Sequence, residues 1–483
     1  MVEHIDVLVI GAGISGISAG YYLQKKCPGR SYAILEGRED LGGTWDLFRY
    51  PGIRSDSDMY TLGYAFKPWT APKAIADGAD IMSYLRETAN EYGIDKKIRY
   101  QHKVVRAQWS SRDQRWLLTV DRGEGIQPLE MTCNFLMGCS GYYNYEAGYT
   151  PAFKGRDNFK GAIVHPQAWP ENLDYANKKI IVIGSGATAV TLLPSLAKTA
   201  AHVTMLQRSP TYVVSRPAED PFVNALRRLR CPESWTYGLT RWKNVLLGNW
   251  LFWYMRKYHE KVKKMIVDGV RAEVGPKVDV DRHFTPTYKP WDQRLCLVPD
   301  GDLFKALREE AASVVTGHID CFTEQGIRLE TGEELEADII VTATGLDMRI
   351  GGGVEMVVDG KEIDQHKHWV YKGMMLSDIP NHAFTVGYTN ASWTLKVDLT
   401  CAYVCRLLNH MDKHNYRQCM TSTRDSTLQE EPLIDFSAGY IVRALGKLPK
   451  QAASAPWKLY QNYILDKLAL GLGKINDKTM EFK

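Results

Sequence analysis

No Cys-x-x-Cys pair occurs in this chain, and its nine cysteines are odd in number and scattered over 483 residues. That pattern argues against a disulfide-stapled secreted scaffold and against a dithiol redox centre; it implies a reducing compartment, so cytoplasmic residence is expected. No apolar run approaches the roughly 20 residues needed to span a bilayer. The most apolar stretch, VLLGNWLFWYM at 245–255, has eleven residues and is flanked by Arg241, Lys243, Arg256 and Lys257. Residues 241–257 are therefore a candidate for peripheral membrane contact, because aromatic groups beside basic ones suit the interface; the competing reading is a helix packed over a binding site with its charges snorkelling to water. Charge of one sign is not in excess. The formal net charge is +4, without the basic stripe of a nucleic-acid binder, so no nucleic-acid partner is expected. Neither metal-ligand spacing nor a serine, histidine and acid arrangement stands out, and no metal is expected. The N-terminal MVEHIDVLVIGAG has acidic residues ahead of its apolar run and leads straight into glycines, so it reads as a strand and not as a signal peptide. The oligomeric state is left open.

What is present is a pair of glycine fingerprints. The run IDVLVI at 5–10 precedes Gly11, Gly13, Ser15 and Gly16, an amphipathic stretch follows, and SYAILE closes the unit on Glu36. This is the strand, turn, helix, strand order of a dinucleotide site: the glycines let the backbone approach a pyrophosphate at a helix N-terminus, and the acid accepts hydrogen bonds from a ribose. The same order recurs at KKIIVIGSGATAVTLL, with Gly184, Gly186, Ala187 and Thr188. Its second strand ends on Arg208 and Ser209, at nearly the offset where the first unit has Glu36. A guanidinium can pair bidentately with a 2′-phosphate that a carboxylate would repel, so the second site is expected to prefer NADPH. The fold class is therefore α/β, with two Rossmann-like domains and a helical insertion. The expected division is 1–145 and 336–483 for one nucleotide domain, 146–220 and 276–335 for the other, and 221–275 for the insertion. ADIIVTATGLD at 337–347 is read as the return to the first domain.

Between the two fingerprints lies FKGAIVHPQAWP, with Phe159, Gly161, His165, Trp169 and Pro170 at fixed spacing. After the first unit comes LGGTWDLFRYPGIRSDSDMY at 41–60, where Gly43, Thr44, Trp45, Asp56 and Tyr60 are candidates to cradle a cofactor. Both runs, together with SGYYNY, QRSPTY, KPWDQRLCLVP and GYTNASWTLK, resemble the type I Baeyer–Villiger monooxygenases of the flavin-containing monooxygenase superfamily. The resemblance extends over most of the chain. It implies FAD in the first site and NADPH in the second, with O2 as co-substrate. Ketones would become esters through a C4a-peroxyflavin, and sulfur in thioethers or thioamides would also be oxygenated; small hydrophobic ketones or sulfides would be the substrates.

The resemblance also assigns roles. Arg294, in WDQRLCLVP, matches the active-site arginine and Asp56 the acid beside it, so these two are the expected catalytic residues. Trp393 is expected on the nicotinamide and substrate side. Phe159, Gly161, His165 and Trp169 are expected to couple the domains, with His165 a linker residue and not a base. Two departures stand out: Asp46, Leu47 and Phe48 replace the Tyr-Trp-Asn of cyclohexanone-type members, and Gln293 stands where many relatives carry a lysine that reaches the 2′-phosphate. The rival readings are a flavin monooxygenase restricted to nitrogen or sulfur, whose linker would normally lack Trp169 and Pro170, and a nucleotide-binding regulator without catalysis.

Overall fold

A computed structural model describes residues 2–423, 427–434 and 439–483. Each glycine fingerprint begins its own sheet. In the first, β1 (Glu3–Ile10) runs into helix α1 (Ile14–Lys26), and β2 (Tyr32–Leu35) returns parallel to β1. The long strand β3 (Leu129–Gly138) pairs parallel with the other edge of β1. The register sets Ile10 opposite both Leu35 and Gly138. Gly11, Glu36 and Cys139 therefore leave three adjacent strands at one level, the carboxyl edge where open α/β sheets bind ligands.

The second sheet is wholly parallel. It consists of β4 (Ala162–Val164), β5 (Lys179–Ile183), β6 (His202–Gln207), β7 (Ala312–Thr316) and β8 (Ile339–Thr342), in the order β7-β6-β5-β8-β4, with α2 (Ala187–Leu196) following β5. Its β5 and β8 residues are almost all buried, as expected for strands covered on both faces. The boundary expected at 335/336 is corrected here. Strand β8 pairs with β5 on one side and β4 on the other, so it is an inner strand of the second sheet, and the chain leaves that sheet only after Thr342. The return to the first sheet is made by His382–Phe384, here β9, which pairs with the carboxyl end of β3.

The segment after β6 is helical, with Pro221–Arg228, α3 (Glu233–Lys257) and α4 (His259–Val274). Its two long helices serve different bodies. The hydroxyl of Tyr237 on α3 donates to the carbonyl of Tyr64 at 2.8 Å, and Arg241 donates to the carbonyls of Tyr60 and Gly63 at 2.9 and 2.8 Å, so α3 is fastened to the first domain. Val267, Val270 and Val274 of α4 instead join the core of the second. Among the described residues no helix is long and apolar enough to cross a membrane. Behind the first sheet, α5 (Trp393–His414) lies along α1 and against α6 (Tyr463–Gly471).

One buried group gives this fold a pH dependence. His382 on β9 has an unpartnered Nδ1, and burial pushes its pKa down from the usual 6.5 to about 4. The unfolded chain takes up a proton near 6.5, whereas the folded chain resists it until about 4. The contribution is therefore whole above pH 6.5 and is lost as pH falls through that window, by about 3 kcal/mol at completion. In thermal unfolding between pH 7 and 4, His382→Phe should show a shallower decline than the wild-type chain.

Candidate active site

A cleft of about 480 Å³ lies along the carboxyl edge of the first sheet and opens toward the second. At one end, a Cβ on Gly16 would stand 1.9 Å from the carbonyl oxygen of Gly11, so only glycine lets α1 approach the turn this closely. Glu36 is buried; its carboxylate accepts from the amide of Ala12 at 2.7 Å and that of Arg38 at 3.0 Å. Burial pushes its pKa up while those two amides oppose the shift. The carboxylate is thus fixed beside the glycine turn with lone pairs to spare, as a ribose-binding acid needs to be. Gly43 follows Gly42, which bridges to Gly13; Thr44 contacts the Tyr145 hydroxyl at 3.3 Å, and Trp45 lines the cleft. Ser15 accepts a hydrogen bond from the indole of Trp393 at 2.8 Å. A helix N-terminus, a fixed acid and a long apolar-walled cleft together fit FAD.

Residues 50–56 cross from the first domain to the second. Tyr50 is buried in the second domain's core, a Cβ on Gly52 would strike Ser195 of α2, and Arg54 forms an ion pair with Asp302. The crossing delivers Asp56 to the far end of the cleft. There its Oδ2 stands 3.2 Å from Nε of Arg294, although the two residues come from different domains. Their side chains keep 33% and 38% of their surface open, and both line the cleft, so they are accessible to a molecule bound in it. Asp56 holds the guanidinium pKa well above its ordinary value, against the opposing effect of burial. The loop carrying Arg294 is itself strained, with Trp291 at φ 72°, and the Trp291 indole faces the sulfur of Met255 on α3. The same pair also lines a second cavity of about 370 Å³, walled by α3 residues such as Val245 and Leu251. Asp56 and Arg294 therefore stand where a cofactor cleft and a side pocket meet.

Tyr142 and Tyr143 surround the pair, and sequence reasoning did not single them out. Burial raises the Tyr143 pKa well above normal and puts that of Tyr440 at about 12, so both hydroxyls stay protonated. Their signal was the SGYYNY segment just past the carboxyl end of β3. Asp46 and Arg38 were missed as well: Asp46 is buried and receives Arg38 at 2.5 Å and Arg49 at 3.3 Å, pinning the loop over the cleft. Cys296 is buried near Arg294 with its thiol pushed up to about 12, which makes it a poor nucleophile.

One expected position is revised. Tyr60 does not line the cleft: it is fully buried, with its ring tilted against Tyr237 at 6.0 Å, because the short helix Met59–Leu62 turns this face toward α3. Trp393 reaches the first fingerprint through Ser15, packs on Tyr142 at 5.0 Å and lines the cleft together with Arg294, Ala187 and Thr188.

In the second unit, Gly184 leaves β5 and Gly186 caps α2, with Ala187 and Thr188 at the mouth of the cleft. Arg208 and Ser209 are exposed at the end of β6, and among the described residues Arg208 forms no ion pair. The linker residues surround the two chain crossings between domains. Phe159 is buried in a cluster with Ile181 and Phe322, and a Cβ on Gly161 would lie 2.2 Å from the carbonyl of Asp338. The outbound and returning chains pair there: the Tyr149 amide donates to Gly345 at 3.1 Å, and the Asn144 amide to Asp347 at 2.9 Å. His165 closes this crossing. Its Nδ1 accepts from the Gln167 amide at 3.2 Å, which leaves Nε2 to donate to the Gly345 carbonyl at 3.3 Å. Burial lowers its pKa, keeping it neutral. Trp169 packs against Tyr175 on the second core.

Known proteins share both sequence and fold with this chain. The family description "Flavin-binding monooxygenase-like" matches residues 68–237, and "NAD(P)-binding Rossmann-like domain" matches residues 9–70. The FAD-containing monooxygenase EthA of Mycobacterium tuberculosis is 53% identical over 483 residues, covering 100% of this chain and 98% of the relative. An oxidized steroid monooxygenase bound to NADP superposes with a TM-score of 0.79 over 99% of each chain at 22% identity. A cyclohexanone monooxygenase with bound epsilon-caprolactone superposes with a TM-score of 0.77 over 100% of each chain at 19% identity.

Proposed function

Because the chain belongs to the FAD-containing monooxygenases of the flavin-binding monooxygenase-like family, we propose that it is a Baeyer–Villiger enzyme that converts ketones to esters and also oxygenates sulfur in thioethers or thioamides. The observation that carries this reading is the Asp56–Arg294 pair at the junction of the cofactor cleft and the side pocket. FAD, held by the first fingerprint and reduced by NADPH, supplies the activation of O2. The protein's part is electrostatic. Arg294 never loses its proton in the accessible pH range, and Asp56 fixes its orientation before reaction begins. A cation oriented in advance stabilises negative charge developing on a reacting oxygen without the cost of reorganisation. Tyr143, whose hydroxyl donates to that of Tyr142, and Tyr440 stay protonated beside it and add no competing negative charge.

On the same reading, Arg208 and Ser209 receive the 2′-phosphate of NADPH. Arg208→Ala should raise KM for NADPH roughly 10- to 100-fold and leave KM for NADH nearly unchanged, since charge-assisted hydrogen bonds to phosphate are lost only with the former. A fall in NADPH preference of less than threefold in steady-state assays would place phosphate recognition elsewhere. Phe159, Gly161, His165 and Trp169 act as the coupling between domains. His165→Ala removes the contact to Gly345 at the crossing and should slow NADPH-dependent flavin reduction by roughly 2- to 30-fold with FAD still bound. Stopped-flow absorbance gives that rate directly.

The overall reading is tested by supplying the FAD-loaded protein with NADPH, O2 and a simple methyl ketone and identifying the product by mass. Ester formation supports it. NADPH consumption that yields peroxide, with sulfide but never ketone oxygenated, would favour the enzyme restricted to nitrogen or sulfur.

A further inference from the structure

Helix α3 keeps much of its apolar surface on the outside. Its buried face is mixed, with Thr236, Tyr237, Thr240, Arg241 and Val245. Its outward face presents Trp235, Leu239, Trp242, Leu246, Trp250 and Trp253, spaced three or four residues apart as one stripe of a helix requires. Trp235 is 70% exposed, and Trp250 and Trp253 are each 52% exposed. The stripe continues onto α6: Trp242 meets Tyr463 at 6.1 Å, and Leu465, Leu468 and Leu472 are exposed beyond it. Contiguous apolar surface of this kind marks an interaction site, whereas scattered exposed leucines do not.

The charges around the stripe identify the occupant. Of the four cations on helix α3, Arg241 is buried on the inward face and Lys243 is paired with Asp220, which leaves Arg256 and Lys257 beside the stripe; the single acid, Glu233, is neutralised by Arg227. Lys257 lies 4.8 Å above the Trp253 ring and Lys467 4.2 Å above that of Trp242. Arg228, Arg230, Lys261 and Lys264 are exposed nearby. A second copy of this chain docking through a twofold axis would set this basic rim against itself. An anionic lipid surface satisfies both features at once, with indoles at the headgroup level and ammonium groups against phosphate.

We propose that the outward face of α3, extended by α6, seats the enzyme on an anionic bilayer surface. The inner side of the same helix walls the pocket that ends at Arg294 and Asp56. If the enzyme acts on hydrophobic ketones or sulfides as proposed above, those substrates reach the pocket from the membrane phase, and that corollary rests on the proposed function whereas the docking itself does not.

Flotation of the FAD-loaded protein with vesicles of phosphatidylcholine and phosphatidylglycerol at 3:1 is the test, and it reads no oxygenation product. The wild-type protein should float with these vesicles and do so less with pure phosphatidylcholine or at high salt. The triple variant Trp235→Ser/Trp250→Ser/Trp253→Ser should bind at least about tenfold more weakly while keeping its FAD content. A second variant, Lys261→Glu/Lys264→Glu/Lys467→Glu, should lose the preference for anionic vesicles with its stripe intact. Failure of the wild type to float, or equal flotation of the triple variant, overturns the proposal. So does a dimer that the triple variant converts to a monomer without vesicle binding, since the face would then be covered by a second copy.

Discussion

Arg294→Ala is expected to lower ketone-dependent ester formation by roughly 10²- to 10³-fold, the usual consequence of removing one oriented electrostatic group from a reacting oxygen. The same variant should bind FAD normally, because Arg294 stands at the opposite end of the cleft from Glu36 and the glycine turn. Sulfide oxygenation provides the internal control. A soft sulfur attacks an electrophilic oxygen, so no oxyanion grows on the substrate, and the loss there should be much the smaller of the two. Asp56→Asn should fall between wild type and Arg294→Ala: it keeps the size of the side chain but removes the charge that holds Arg294 in place. Equal losses for ketone and sulfide in Arg294→Ala would mean that the arginine positions a cofactor and does not stabilise the reacting oxygen.

Asp466→Ala should destabilise the first domain by roughly 3–5 kcal/mol, the cost of leaving one charge of a buried pair without its partner. Lys396, on α5, is wholly inaccessible, and its Nζ stands 3.0 Å from Asp466 Oδ1 on α6. The other carboxylate oxygen accepts from the hydroxyl of Tyr388 at 2.8 Å. Burial pushes the Lys396 pKa down and Asp466 opposes that shift, so without the acid the ammonium has little to keep it charged. Replacing both partners, as Lys396→Met/Asp466→Leu, should recover most of the loss, because the desolvation cost disappears with the charges. Thermal unfolding followed by flavin release measures both. A single variant as stable as the double would mean that water already reaches the pair.

The two nucleotide units were legible because their signals are local. Strand, glycines, helix and terminal Glu36 or Arg208 lie within about one βαβ span of sequence, and the physics that selects them operates over that span. The pairing of Asp56 with Arg294 was not legible from spacing at all. It depends on the 50–56 loop crossing onto α2, and only the resemblance of the surrounding motifs pointed to it. Tyr60 was misplaced because a residue in a one-turn helix can face either way, and its burial is decided by α3, which lies far along the chain. The boundary at 335/336 failed for a related reason: strand β8 reads as apolar in isolation, and which sheet it joins is decided by partners at 162–164 and 179–183. Helix α3 concealed its own length. The eleven apolar residues from 245 to 255 were visible, but the helix begins at Glu233, where polar Thr236 and Thr240 point inward against the usual pattern.

The central claim is that Arg294, held by Asp56, serves oxygen insertion beside a carbonyl. Single-turnover reaction of the NADPH-reduced protein with 18O2 and a methyl ketone tests it most directly. The expected result is an ester carrying one labelled atom, at the bridging oxygen, formed by the wild-type protein and nearly absent with Arg294→Ala while labelled sulfoxide from a thioether persists. Label appearing only in peroxide and sulfoxide with the wild-type protein, and never in ester, would contradict it.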